Sequence, residues 1–182
     1  MDLTGNHDYQ QLLEEISGSY IQGQVRAAQA VNLVLIDTYW QVGRHIVEFE
    51  QAGQQRATYG KALLDDLSRD LTLRHGRGFS RSNINRMRLF YQYYPICAKA
   101  SHKLSWSHYV ELLKLNDELE RSFYEKQAIA EQWSVPELKR QKNSQLFLRL
   151  AASKDKAGLL QLAQQGQLVE QPTDLMREPY VF

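Results

Sequence analysis

Cysteine is almost absent: Cys97 stands alone in 182 residues, which excludes a disulfide framework and a Cys-based zinc site and fits a cytoplasmic home. The N-terminus, MDLTGNHDYQQLLEE, has neither the basic nor the apolar region of a signal peptide, and no apolar run approaches membrane-spanning length. No membrane partner is therefore expected. Glycine-rich phosphate loops, HExxH and GxSxG elements are all missing. His45, His75, His102 and His108 show no spacing that suggests a metal site. No cofactor, no metal and no small-molecule substrate is expected. Proline is scarce, with four in the chain. Together with abundant Leu, Gln, Arg, Glu and Ala, that predicts an all-α protein.

The most informative absence is of one charge sign. From Leu71 through Val110 there is no Asp or Glu, while the same stretch holds Arg74, Arg77, Arg81, Arg86, Arg88, Lys99 and Lys103. It carries +7 on a chain whose total is +1. The near-neutral total says nothing about a partner, but the segregation points to a polyanion.

Apolar spacing sets the expected helices. Tyr9, Leu12, Leu13, Ile16 and Tyr20 open the chain, with Gly18-Ser19 and Gly23 predicting a break. A long helix then follows to about Gly53, marked by Val31, Val34, Leu35, Tyr39, Val42, Ile46 and Phe49. Leu33, Ile36 and Trp40 widen its apolar surface beyond one face, which requires burial on several sides. Either an intramolecular core or a second copy, meeting it at Val31, Val34, Leu35 and Tyr39, would supply that burial.

Residues 58–73 predict a helix burying Tyr59, Leu63, Leu64, Leu67 and Leu71. Its outer face carries Asp65, Asp66, Arg69 and Asp70, the acids pointing away from any phosphate. After the basic glycine turn of 74–79, Ser80 is a good N-cap for a second helix. Ile84, Met87, Tyr91 and Tyr94 would face the core, with Arg81, Asn85, Arg88 and Gln92 opposite and Ser82, Asn83 and Arg86 flanking. Two helices joined by a short glycine turn are the form of the helix-turn-helix, whose second helix enters the major groove. Arg and Asn match guanine and adenine edges. The candidate phosphate contacts are Arg74, Arg77, Arg81 and Arg86, helped by Ser80 at the helix start, the candidate base contacts are Arg81, Ser82, Asn83 and Asn85, and Arg88 on the outward stripe completes the candidate nucleic-acid-binding set. The plainer reading is a solvated polar face, but such a face normally mixes both signs.

Pro95 ends that helix. Ser105, Asp117 with Glu120, and Ser134 with Pro136 and Glu137 then mark three further helix starts: 106 to about 115, 117 to about 133, and 134 to about 152. A weak helix over about 155–165 precedes the tail QPTDLMREPYVF. The expected division is 1–53, 54–152 and 153–182. Pro136-Glu137-Leu138-Lys139 matches the Glu-x-Lys half of a metal-dependent nuclease site, but it opens a helix where such a site needs strands.

TYWQVGRHIVEFEQ (38–51), RATYGKALLDDLSRDLTLRHGRGFSRSNINRMRLFYQYYP (56–95), LSWSHYVELL (104–113) and FYEKQAIAEQWSVPELKRQ (123–141) together resemble the N-terminal domain of the YhcG family of predicted nucleases. The resemblance implies a helical DNA-binding module placed before a PD-(D/E)XK-type nuclease domain, to which any Mg2+ would belong. On that expectation the tail from Leu175 is the junction and the chain itself is not an enzyme. The chain departs from the family at Pro136, where a basic residue usually follows Trp-Ser-Val; the cation a phosphate contact would use there is gone. A looser likeness, in the order of helices, is to the ParB partition proteins. The expected partner is DNA, as duplex. The other reading is a helical oligomerisation domain without direct DNA contact.

Overall fold

The computed structural model describes residues 3–51, 62–95 and 103–152, with 158, 161 and 163 in the tail, and side chains from His7 on. Seven helices and no strand occur among them: α1 Leu3–Gln51, α2 Leu63–His75, α3 Arg81–Tyr93, α4 Trp106–Leu112, α5 Glu118–Ala130, α6 Val135–Asn143 and α7 Leu146–Ala152. The all-α class with a long N-terminal helix holds. Two compact units result, Met1–Ser105 and Trp106–Phe182.

The break expected at Gly18-Ser19 and Gly23 is absent; α1 is one helix of 49 residues. Each interior glycine costs only about 1 kcal/mol against alanine, and once a helix is nucleated every further residue adds a hydrogen bond. No proline or competing cap interrupts the run. Side chains also reach back one turn, Gln24 to the Tyr20 hydroxyl (3.0 Å) and Thr38 Oγ1 to Val34 O (2.7 Å).

The second half of α1 builds the first core. Ile36, Trp40, Ile46 and Val47 are buried with Ile84, Met87, Phe90 and Tyr94 of the α3 segment and with Leu104. The Trp40 indole N–H donates to Tyr94 O at 2.6 Å, and its ring meets Tyr91 edge-on at 5.1 Å. Phe90, not Tyr91, fills the third core position of α3; Tyr91 is half-buried. Leu63 is the buried residue of α2, while Leu64, Leu67 and Leu71 are half-exposed. Tyr59 and the helix end at 52–54 lie outside the described residues.

In the second unit, Tyr109, Leu112, Phe123, Tyr124 and Leu138 are fully buried, with Phe147 nearly so. Asp117 caps α5 by accepting from Glu120 N (2.7 Å), and Ser134 caps α6 by accepting from Glu137 N (3.3 Å). α4 and α5 end earlier than expected, at Leu112 and Ala130. The single helix expected over 134–152 is two. Ser144 donates to Gln141 O, and Gln145 takes a left-handed φ of 54°, so the chain turns and α7 starts afresh. That turn brings Phe147 against Phe123 (5.4 Å) and its amide to the Tyr124 hydroxyl (3.2 Å). Most of the weak helix expected over 155–165 lies outside the described residues.

Candidate nucleic-acid interface

The turn between α2 and α3 is locked from both sides. Gly76 and Gly78 have φ of 81° and 121°, which only glycine adopts without strain. Gly76 N–H closes α2 on Thr72 O at 2.9 Å. From α2, Ser68 Oγ donates to Phe79 O at 2.8 Å; from α3, Asn83 Nδ2 donates to Gly78 O at 2.7 Å. Ser80 caps α3 by accepting from Asn83 N at 3.3 Å. Asn83, expected to reach a base, thus has its amide donor engaged in holding the turn.

Around this turn Arg74 and Arg77 are exposed and Arg86 is half-buried. Among the described residues none of the three has a carboxylate partner. The other two arginines do. Arg81 Nε lies 2.7 Å from Asp65 Oδ1, both side chains being well exposed. Arg88, expected on the outward stripe as a nucleic-acid contact, turns to α1 instead, its Nε donating to both Glu50 oxygens (2.7 and 3.0 Å) with only 28% of its side chain exposed. The acids of α2 do not all point away, since Asp65 reaches the start of α3. Asp66 and Asp70 pair with Arg69, at 3.0 Å each. A stretch free of acids in sequence is therefore not free of them in space. Ser82 is exposed and Asn85 half-buried on the same end of α3.

What seats α3 is Gly43. A Cβ there would overlap the Met87 carbonyl oxygen and stand 2.8 Å from its carbon and 3.1 Å from Tyr91 Cβ. The α1 and α3 backbones touch at this point, and only a hydrogen fits between them. Gly43 is not among the candidate residues of the sequence, although its signal is local: it falls in the buried row Ile36, Trp40, Val47, where one small residue among large ones marks a close helix crossing.

Beside the turn, α1 and α2 enclose a cavity of about 500 Å³ lined by Val42, Ile46, Phe49, Leu67 and Leu71, with His45, Asp66 and His75 among its polar members. In the second unit, the buried Glu111 carboxylate gathers three ammonium groups, Lys114 (2.7 Å), Lys142 (3.5 Å) and Lys139 (3.6 Å). Burial pushes the Glu111 pKa up, but the Lys114 hydrogen bond and the three charges outweigh it and hold the carboxyl below its ordinary value. Lys142 goes the other way: its burial dominates, and a carboxylate shared with two other lysines under-compensates it, so its pKa is lowered. Glu137, of the Glu-x-Lys match, opens α6 and forks onto Arg140 (2.6 and 2.9 Å). No group of three or more metal-ligating side chains occurs among the described residues, Asp65, Asp66 and Asp70 included. No helix among them is long and apolar enough to cross a membrane.

Against known proteins, residues 15–149 match the family model described as the DUF1016 N-terminal domain. The chain is 34% identical to "Putative nuclease YhcG" of Escherichia coli (strain K12), an alignment covering 96% of this chain and 55% of that protein. The chain thus spans about half the length of that curated relative. No solved structure matches. A match over most of the α1–α7 region, together with this identity, places the chain in the DUF1016 N-terminal domain family.

Proposed function

We propose that this chain binds duplex DNA through the α2–α3 turn and the first half of α3, as the DNA-holding part of a nuclease. One observation carries the reading: Arg74 at the end of α2, Arg77 in the turn and Arg86 in the first half of α3 have no acidic partner among the described residues, and the turn joining them is fixed by two glycines and two side-chain clasps. Cations without acidic partners suit phosphate oxygens, and a helix start held at a set angle suits groove entry. Arg81 joins them once its exposed pair with Asp65 opens, at a cost of under about 1 kcal/mol. Ser82 and Asn85 lie beside it as candidates for base edges. The relative named as a nuclease supports the same class of ligand, since hydrolysis of a nucleic acid requires holding one. On this reading the chain binds and does not itself cleave, so magnesium alone leaves a plasmid intact.

The test is a fluorescence-anisotropy titration of labelled duplex DNA in rising salt, with duplex RNA and single strands as comparators. Four arginine–phosphate contacts give a log–log slope of about −3.6, at roughly −0.9 per phosphate. Arg77→Ala and Arg86→Ala each reduce it by about 0.9. No binding at low salt, or a slope indifferent to both changes, would refute the reading.

A further inference from the structure

Among the described residues, the N-terminal part of α1 carries the longest run of exposed apolar side chains. From His7 to Val31 every described side chain is exposed, apart from the half-exposed Gly18. Yet this stretch is not polar all round. Tyr9 is 61% exposed, Ile16 57%, Tyr20 66%, Val31 60% and Val34 60%, with Leu12 and Leu13 close behind; Ile21 and Val25 are exposed as well, on the other side of the helix. At about 100° per residue the first seven fall on a single stripe, and Gly23, Ala27 and Ala30 fall on it too. The stripe lies on the side of α1 opposite the buried row Ile36, Trp40, Gly43, Val47. An isolated helix carrying two glycines is marginal in water, and a stripe of this kind needs a partner.

We infer that the partner is a second copy of this chain, with the two α1 helices paired antiparallel along residues 9–34. Two features of the stripe select this occupant. The first is volume. The N-terminal half of the stripe is bulky and the C-terminal half is small. Antiparallel pairing sets Tyr20 over Gly23, Ile16 over Ala27, Leu13 over Ala30, Leu12 over Val31 and Tyr9 over Val34. Each large side chain meets a small or branched one, so the helices can lie at one even separation. In a parallel pair Tyr20 would meet Tyr20 and Gly23 would meet Gly23, forcing the helices apart at one end and leaving a void at the other. An added Cβ at Gly23 has nothing within 4 Å in the single chain, so the space for Tyr20 is open.

The second is charge. Glu15 and Arg26 flank the stripe on the same side. Antiparallel helices bring same-side flanks together, which sets Glu15 of each copy within reach of the other's Arg26, twice by symmetry. A parallel pair sets neither opposite a charge. The area is adequate as well: at these exposures the seven side chains present roughly 800 Å² per copy, half of a standard stable interface.

The test combines sedimentation with a distance measurement on the full 182-residue chain. In a Cys97→Ser background, a spin label at Gln10→Cys, off the stripe, reports the pairing direction. A dimer with labels about 35 Å apart is expected, from 1.5 Å of rise per residue. Ile16→Glu and Ala27→Glu are each expected to give monomer, while Leu73→Glu, exposed but on α2, leaves the dimer intact. Three results overturn the inference: a monomer at tens of micromolar, a label separation below about 20 Å, or a dimer that survives both stripe variants. None of these bears on the DNA reading, which rests on residues of α2 and α3.

Discussion

Gly43→Ala is the most demanding test of how α3 is held. In an isolated helix the change would gain about 1 kcal/mol of propensity. Here the new methyl would fall inside the Met87 carbonyl, with carbon 2.8 Å from carbon, where contact needs about 3.5 Å or more. Both neighbours are backbone or Cβ atoms, so no side chain can rotate away. The helices must therefore separate by about 1 Å, and the Trp40–Tyr94 hydrogen bond, 2.6 Å long, cannot follow. Overpacking costs about 1–3 kcal/mol, and the orphaned buried indole N–H about 1–3 more. Less the propensity gain, the expected net loss is about 1–5 kcal/mol. Urea unfolding measures it, followed by tryptophan fluorescence in a Trp106→Phe, Trp133→Phe background so that Trp40 reports the first unit alone. Gly18→Ala is the comparator, because a Cβ there meets nothing within 4 Å; it is expected to gain about 0.5–1 kcal/mol. If Gly43→Ala is as stable as the parent, or gains as Gly18→Ala does, the close crossing is not what seats α3.

Three other outcomes are expected. Asp65→Ala removes the acid paired with Arg81 and should tighten duplex DNA binding about 2–5-fold, as an exposed pair worth under about 1 kcal/mol allows; weaker binding in the anisotropy titration would mean that Asp65 orients Arg81 instead. Glu111 has its folded pKa depressed, so its contribution is present above the ordinary carboxyl value of 4.5 and is lost as pH falls through the lower folded value. Glu111→Gln should cost the second unit about 2 kcal/mol at neutral pH and flatten its stability below pH 5, read by thermal unfolding across pH; an unchanged acid limb would contradict the assignment. Tyr124→Phe removes the hydroxyl that accepts from Phe147 N and donates to Gln141 O. It should cost about 1–2 kcal/mol and speed hydrogen exchange at the Phe147 amide; protection equal to the parent's would refute it.

What the sequence made legible was local. Ser80, Asp117 and Ser134 announce their helices because a cap and its amide lie three residues apart, and the structure shows each of those bonds. Gly76 and Gly78 announce the turn because each takes a positive φ that glycine alone adopts without strain. The features that decide the electrostatics of the candidate site are long-range. Glu50 answers Arg88 across 38 residues, and Asp65 answers Arg81 from the preceding helix. No count of charges along a window could register either. The α6–α7 break is not legible in the sequence for a different reason. Helical spacing continues through Ser144 and Gln145, and the turn is made because Phe147 must reach Phe123 and Tyr124, a demand of packing that local pattern does not contain.

α1 carries α3 on one side and its bare apolar stripe on the opposite side, and this arrangement has a consequence for valency. Paired copies would hold their α3 helices back to back, facing away from the shared seam. Counting 1.5 Å per residue from the centre of the seam, the two Gly43 positions would stand about 65 Å apart. A dimer that grips the two halves of a palindrome presents its recognition helices side by side on one face. This one would present them outward, and so would tether two separate stretches of duplex rather than embrace one.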